Sequence, residues 1–253
     1  FKQKTAYEIY QCDWSSDVCS SDLIPTDVDI DGSEHKKADQ YWRRLKEPNF
    51  KKLYTTKAQQ KAALDKWIEK ILDYRINGYW FMNNGEPEYI TGDHFFFLNY
   101  VQVDLGTYPE FRKAQRDYYY FLDLCDKDEK CHGSIKGKYR REGATTMVLA
   151  KFANNATLTE RRWYGIQSKT YEDAKKVCYL PIVDMVMRLP KYFRPLMASN
   201  DRPQQELLFR KPSSRLSAKK QSDDDEMYFD EDLSDGLNTK IVFFFKQKTA
   251  YDG

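Results

Sequence analysis

The apolar residues of this chain recur at helical spacing over its longer stretches and cluster in short runs elsewhere. Between residues 56 and 75 they repeat at i, i+3, i+4 and i+7, behind Thr56, a good N-cap residue. Asn77 and Gly78 then supply a stop signal. This pattern predicts an amphipathic helix whose apolar side packs in the core.

Shorter elements are predicted on both sides of this helix. Residues 34–45 predict a short charged helix with Trp42 on its apolar side. Residues 79–82 and 88–91 flank the turn sequence N-N-G-E-P and predict a β-hairpin. The densely aromatic stretch 94–100 predicts a buried helix or strand.

Three elements are predicted in the middle of the chain. T-Y-P-E at residues 107–110 is a capping box, and predicts that a helix begins there and runs to about Cys125. Residues 133–139 alternate partly between apolar and polar and predict a strand. Residues 146–153 have helical spacing and strong helix formers, so they predict a helix.

The remaining pattern is typical of an α/β domain. Residues 162–168 predict a strand, and Thr170 begins a long helix that Pro181 should kink or divide. Residues 206–209 and 238–242 predict further strands. The order strand, loop, helix, strand, helix favours a parallel sheet.

Between the predicted strand and helix lies K-Y-R-R-E-G-A-T-T, residues 138–146, which we term the basic loop. A strand, a turn at Gly143 and a helix N-terminus bring backbone N–H groups and the positive end of a helix dipole to one point. Phosphate oxygens bind at such a point. The same residues also fit a basic surface turn before an ordinary helix.

The basic loop departs from the common phosphate-binding pattern G-x-x-x-x-G-K-[ST]. Lys138 stands where the first glycine is expected, and Ala144 stands where the lysine is expected. A lysine on the far side of the loop can still reach the β- and γ-phosphates. Arg140 and Arg141 add cations that suit bidentate phosphate contacts. The hydroxyl of Thr145 lies where a magnesium ligand is needed.

The two ends of the chain differ in character from the rest. Residues 1–7 recur letter for letter as residues 245–251. Residues 2–9 and 13–23 are similar to the in-frame translation of a short-read sequencing adapter. We therefore expect residues 1–23 and 243–253 to be adapter-derived and exclude them from the prediction of the fold.

The charge of residues 24–242 is unevenly distributed. This stretch has 37 basic and 34 acidic side chains, a net charge of +3. Eight of the acidic residues and none of the basic ones lie in residues 222–235, which leaves +11 on the remainder. A basic body suits contact with a polyanion, although a solvated surface with an acidic loop fits the same numbers.

Cysteine usage and hydropathy exclude several classes of protein. Outside the two ends the cysteines are Cys125, Cys131 and Cys178, and no C-x-x-C pair occurs. Cys131-His132 with Cys125 is too sparse for a zinc site, so reduced thiols are expected. No apolar run approaches the roughly 18 residues of a membrane span, and no secretory signal is present, so a soluble protein is expected.

Two motifs carry a resemblance to a known family. F-R-K-A-Q-R-D-Y, residues 111–118, is similar to the adenine-reading Q motif that precedes a phosphate-binding loop. Gln115 would be the amide that reads adenine, although a glutamine on a helix is more often simply exposed to solvent. Together with the basic loop, it makes the chain resemble the ATPase part of the large terminase subunit of tailed bacteriophages. The aromatic stretch 89–100 looks like what such subunits carry upstream in phages of gut Bacteroidetes. The resemblance covers about residues 80–242.

The resemblance implies a fold, ligands and partners. The fold is an incomplete P-loop NTPase core of the ASCE type with a parallel sheet over residues 107–242, after an α-rich region with a hairpin over residues 24–106. The ligands are ATP and Mg²⁺. The partners are double-stranded DNA, a portal protein, a small terminase subunit and further copies of the chain, in the cytoplasm of an infected bacterium.

The resemblance also implies roles for individual residues. Lys138, Arg140 and Arg141 would act in phosphoryl transfer to water. Thr145 would bind the magnesium ion. The nucleotide would be held by Gln115, Lys138, Gly143, Ala144, Thr145 and Thr146.

The carboxylate pair that such an ATPase needs is not evident. Asp230 and Glu231 follow three apolar residues, but their acidic flanks favour a loop over a buried strand. The pair is then expected beyond residue 253, together with a nuclease domain, which makes the chain a fragment. Two alternatives stay open: another P-loop NTPase acting on nucleic acid, such as a helicase, and a non-enzymatic DNA-binding structural protein.

Overall fold

The computed structural model describes residues 42–83, 86–103, 106–138, 142–198, 202–210 and 236–245. These residues belong to two compact units. Unit 1 takes its described residues from Phe1–Lys46, Asp73–Phe95 and Glu110–Glu142. Unit 2 takes them from Glu47–Leu72, Phe96–Pro109 and Gly143–Gly253.

The described elements are helices and short strands, so the fold is mixed α/β, as predicted. The α-helices are α1 (Phe50–Leu53), α2 (Lys57–Asn77), α3 (Gly92–Tyr100), α4 (Lys113–Lys127), α5 (Ala144–Leu158) and α6 (Leu180–Met187). The strands are β1 (Tyr79–Asn83), β2 (Glu86–Ile90), β3 (Trp163–Ser168), β4 (Glu206–Phe209) and β5 (Thr239–Phe245). A π-helical segment (Asp173–Tyr179) leads into α6, and a 3-10 turn (Lys191–Phe193) follows it.

The hairpin of unit 1 forms where the sequence predicts it. Strands β1 and β2 pair antiparallel, with Tyr79 opposite Ile90 and Asn83 opposite Glu86. Helix α2 ends at Asn77 because Gly78 takes a left-handed conformation, with φ of +90°. The Tyr89 hydroxyl donates to the Asn77 carbonyl at 2.8 Å and attaches the hairpin to the end of the helix.

The core of unit 1 is largely aromatic. The Trp42 ring lies edge-on to Phe81 at 5.1 Å, and Phe81 and Phe95 are almost completely buried. The buried imidazole of His94 is stacked on Phe111 at 5.7 Å and on Tyr119 at 5.0 Å. Rings of this size contribute much of the apolar area that a small unit can bury.

Unit 2 contains a three-stranded sheet in the order β3-β5-β4. Strand β5 pairs parallel with β3 and antiparallel with β4. Helix α5 and the π-helical segment pack against β5, and Leu207 and Ile241 are completely buried. Trp163 on the edge strand β3 is 75% exposed.

Several predicted elements of unit 2 are confirmed. Strands β3, β4 and β5 lie at the predicted places. The long helix after Thr170 is divided, because the π-helical segment gives way to α6 one residue before Pro181. Strand β5 continues through residues 243–245, and Phe243 lies 5.0 Å from the Tyr179 ring.

The helix predicted from residue 107 begins later, at Lys113. The Thr107 carbonyl accepts from the backbone N–H of Val103 at 3.0 Å, so Thr107 belongs to a local bridge and does not cap a helix. Arg112 is the N-cap residue, with no hydrogen bond from its side chain to the helix. The capping-box prediction was wrong because a competing backbone contact takes up its first residue.

The prediction of a strand at residues 133–139 was also wrong. The described part of the strand predicted at 133–139, residues 133–138, is irregular. Its apolar residue Ile135 is 97% exposed, so no buried face stabilises a strand there. Most of the helix predicted at 34–45 lies outside the described residues, and its last four residues, 42–45, are irregular. In the part of the chain that the structure describes, no helix is both long enough and apolar enough to cross a bilayer.

Candidate phosphate-binding site

The N-terminus of α5 is the candidate phosphate-binding site. Gly143 is its N-cap residue, and its carbonyl accepts from the backbone N–H of Met147 at 3.1 Å. Glycine has no side chain with which to cap the helix, and the first turn of the helix has no acidic residue. The positive end of the helix dipole is therefore not neutralised from within the first turn, and an anion is favoured there.

Glycine is needed at position 143 for its backbone conformation. Its φ of +82° and ψ of 4° lie in the left-handed region, which residues with a Cβ rarely adopt. A Cβ built at this position meets no atom of the described residues within 4 Å. The space beside the backbone is therefore open, as close approach by a phosphate group requires.

The first turn of α5 presents its three side chains differently. Ala144 is buried and anchors the turn, whereas Thr146 is half-buried. Thr145 is exposed, so its hydroxyl is accessible to a ligand. Ala144, which stands where the common phosphate-binding pattern has its lysine, therefore packs in the core of unit 2.

The cations of the basic loop are described in part. Lys138 is exposed and belongs to unit 1. Arg140 and Arg141 lie outside the described residues. Gln115 also belongs to unit 1, whereas Gly143, Ala144, Thr145 and Thr146 belong to unit 2.

An ion pair that the sequence did not predict lies beside the basic loop. The Lys136 ammonium is 3.1 Å from the Glu142 carboxylate and 3.6 Å from the centroid of the Tyr118 ring on α4. This pair joins the chain on either side of residues 137–141, and it compensates the one acidic side chain of the loop. In the sequence, Lys136 and Glu142 are simply opposite charges six positions apart, and this spacing does not predict a contact.

Gln115 occupies the first turn of α4, and its backbone N–H donates to the Arg112 carbonyl at 3.0 Å. Its side-chain Oε1 is buried and has no hydrogen-bond partner among the described residues. The neighbouring Arg116 is held by Glu88 of β2 and by Asp117. A buried amide oxygen without a donor costs about 1–3 kcal/mol, so a ligand that donates to it would be favoured.

Carboxylate ligands for a metal ion are not assembled within the described residues. No group of three or more His, Cys, Asp or Glu side chains that could hold a metal is found among them. Asp230 and Glu231 lie outside the described residues. Within those residues, the candidate site offers one exposed hydroxyl, that of Thr145, to a hydrated divalent cation.

Comparison of the chain with protein-family profiles, with curated proteins and with solved structures finds no match.

Proposed function

We propose that the chain is the ATP-binding part of a DNA-packaging motor of the large terminase type. The observation that carries this proposal is the N-terminus of α5 behind the left-handed Gly143, with space beside the glycine that no atom of the described residues fills. Such a helix end binds phosphate oxygens through backbone N–H groups and the helix dipole. The basic character of the chain outside residues 222–235 supports contact with DNA.

The buried amide oxygen of Gln115 supports adenine as the base. The exocyclic amino group of adenine donates a hydrogen bond, and guanine presents a carbonyl at the same ring position. A purine that donates to Oε1 would satisfy the acceptor that has no partner among the described residues. The proposed ligand is therefore ATP in preference to GTP.

The first turn of α5 fits part of a magnesium site. The exposed Thr145 hydroxyl is a hard oxygen ligand, and Mg²⁺ in nucleotide sites keeps several waters and phosphate oxygens besides. Bound there, the ion would neutralise charge on the β- and γ-phosphates. Lys138 would hold the same oxygens, and Arg140 or Arg141 would stabilise the charge that develops during transfer to water.

The first experiment is binding of a fluorescent ATP analogue to the full chain in the presence of Mg²⁺. Lys138→Ala should weaken binding by about tenfold to a hundredfold, because a charged contact to phosphate is lost. Lys130→Ala is the matched control, since Lys130 is also exposed in unit 1 but lies before the loop. A folded wild-type chain that binds no analogue would overturn the proposal.

Two further variants test separately the proposed contact with the base and the proposed contact with the magnesium ion. Gln115→Ala should reduce the preference for ATP over GTP and leave binding of inorganic triphosphate unchanged, with the exposed Gln59→Ala as control. Thr145→Ala should remove the dependence of binding on Mg²⁺, and Thr145→Ser should restore it. In an intact motor Lys138→Ala should abolish ATP turnover, and unchanged turnover would assign that role to an arginine.

A non-enzymatic DNA-binding protein is the second candidate. It is favoured by the irregular, exposed course of residues 133–138, where a P-loop core would have a strand. This candidate predicts salt-dependent binding to duplex DNA and no binding of ATP analogue. A helicase-like NTPase would bind the analogue as well, and its turnover would respond to single-stranded nucleic acid.

A further inference from the structure

We propose that one face of the three-stranded sheet in unit 2 binds single-stranded nucleic acid, with an unpaired base stacked on Trp163. The inference does not depend on the proposed nucleotide site. We term this the outer face, because its side chains alternate along the strands with those that pack in the core of unit 2. Its members include Trp163, Gly165, Gln167, Lys240, Phe244 and Glu206.

The two faces of the sheet differ in burial. Ile166, Leu207 and Ile241 point to the core, and all three are buried. On the outer face, positions 163, 165 and 167 of β3 are exposed. Trp163 is 75% exposed and Phe244 is 52% exposed. Exposed rings on one face of a sheet are typical of surfaces on which nucleic-acid bases stack.

Trp163 is held in place without being covered. The Lys240 ammonium lies 4.8 Å from the centroid of a Trp163 ring, and it also lies 3.0 Å from the Glu206 carboxylate. These contacts connect all three strands of the sheet and restrain the indole on one side. A ring that is already positioned loses little conformational entropy when a base stacks on its exposed surface.

Gly165 makes room for the second ring of the outer face. A Cβ at this position would lie 3.2 Å from Cε2 of Phe244, so the Phe244 ring lies beside the glycine. Gly165 is two positions after Trp163, which corresponds to about 7 Å along the strand. The face therefore offers rings to two bases. Phe244 lies in the stretch expected to be adapter-derived, so Trp163 is the ring to be tested.

Two arginines stand where β3 begins. Arg161 and Arg162 are exposed, and neither side chain has an ion-pair partner among the described residues. Arg161 has φ of +55°, a left-handed conformation that arginine seldom adopts, and its backbone N–H donates to the Leu237 carbonyl at 2.8 Å. Residues 160–169 contain three basic side chains and one acidic. Guanidinium groups beside exposed rings favour a ligand that has both phosphates and bases.

Stacking on Trp163 selects a single strand over a duplex. In a duplex, neighbouring base pairs cover the faces of each base, and a side chain reaches them only by unstacking the step. In a single strand these faces are accessible. A duplex would contact the arginines through its phosphates and leave the indole unused, so it should bind more weakly.

The first test is fluorescence anisotropy of a labelled oligothymidylate of about 15 nucleotides, titrated with the full chain in the absence of ATP. Trp163→Ala should weaken binding about tenfold or more, and Trp163→Phe should recover most of it, because a ring is again present. Tyr54→Ala is the matched control, since Tyr54 is another exposed aromatic residue of unit 2. A labelled duplex of the same length should bind more weakly and respond little to Trp163→Ala.

The arginines are tested by the salt dependence of binding. Arg162→Gln should reduce the slope of log affinity against log salt concentration by about 0.7, because one phosphate contact is lost. Arg188→Gln should leave the slope unchanged, since Arg188 is an exposed arginine of unit 2 outside the outer face. Oligouridylate of the same length distinguishes RNA from DNA as the preferred strand, and stacking on Trp163 is supported if either strand binds more weakly to Trp163→Ala.

Equal affinity of the wild-type chain and Trp163→Ala for both strands would overturn the proposal. It would also fail if the wild-type chain bound neither strand and formed dimers that Trp163→Ala dissociates, because a second copy would then occupy the outer face. Urea denaturation shows whether each variant is folded. Trp163 is mostly exposed, so Trp163→Ala should keep the midpoint of the wild-type chain.

Discussion

Two glycines at helix ends, Gly78 and Gly143, have the same backbone conformation in opposite surroundings. Gly78 ends α2 with φ of +90°, and a Cβ there would lie 2.4 Å from the Tyr89 hydroxyl oxygen and 2.5 Å from the Ile90 carbonyl oxygen. Gly143 begins α5 with φ of +82°, and a Cβ there would meet no atom within 4 Å in the part of the chain that the structure describes. At position 78 the neighbouring atoms leave no room for a side chain, whereas at position 143 only the left-handed backbone conformation requires glycine.

The regions around these glycines differ in the same way. In the hairpin region, residues 78–95, Phe81, Ile90 and Phe95 are almost completely buried. In the loop region, residues 131–146, Ile135 is 97% exposed. Residues in the hairpin region are explained by the core that they form. Apart from the buried Ala144, the described residues of the loop region are exposed or half-buried, so packing explains few of them.

The largest effect is expected for Gly92→Ala in the hairpin region. A Cβ at this position would lie 2.1 Å from the Arg75 carbonyl oxygen and 2.5 Å from its carbon, so the backbone must shift. We expect the free energy of unfolding to fall by about 3 kcal/mol, measured by urea denaturation. Gly137→Ala in the loop region is the control, and should change it by less than about 0.5 kcal/mol, since its Cβ has open space. Similar values for both variants would remove the contrast between the regions.

The second-largest effect is expected from His94 in the hairpin region, which should make the stability of the chain sensitive to acid. Burial lowers the pKa of His94 to about 3, from an ordinary value of 6.5. Between these values the unfolded chain takes up a proton that the folded chain does not, so stability falls as the pH falls. The loss from His94 between pH 6 and pH 4 is on the order of 2–3 kcal/mol.

Urea denaturation at several pH values checks the His94 prediction. His94→Phe keeps a ring between Phe111 and Tyr119 and should remove this part of the pH dependence. His132→Gln, at an exposed position, should leave it in place. Equal slopes for the wild-type chain and His94→Phe would show that other groups cause the acid sensitivity.

A smaller effect on stability is expected for Gly143→Ala in the loop region. Forcing alanine into the left-handed conformation costs about 1 kcal/mol, with no clash to add to it. Binding of ATP analogue should fall by about tenfold or more, because the methyl group occupies the space proposed for phosphate. Gly143→Asn should recover part of the stability, since asparagine tolerates this conformation, without recovering binding. Recovery of both would mean that the space does not serve a ligand.

The smallest effect on stability is expected at the Lys136–Glu142 ion pair. The pair is partly exposed, so Lys136→Met should cost about 0.5 kcal/mol or less. Binding of ATP analogue should weaken about fivefold, because the Glu142 charge immediately before Gly143 is then uncompensated. Adding Glu142→Gln should restore binding. Failure of the double variant to do so would assign Lys136 a direct contact with the ligand.

Elements with local signals could be predicted from the sequence. Helix α2, the hairpin, β3 and the division of the long helix before Pro181 all have cap, turn or proline signals within a few residues. The N-terminus of α5 and its left-handed glycine belong to the same group. The candidate site was therefore predictable as far as it depends on one turn of helix.

The mixed α/β class and the position of the basic loop before α5 follow from local pattern, because hydrophobic spacing and helix caps act over neighbouring residues. Folding in three dimensions was needed to show that the helix expected from residue 107 begins at Lys113 and that residues 133–138 form no strand. The same holds for the burial of the Gln115 oxygen and for the contact between Lys136 and Glu142. A strand needs a partner and a buried face, and a buried polar atom or an ion pair needs a second segment folded against it. Whether such contacts form depends on how the segments fold against each other, so local pattern does not specify them.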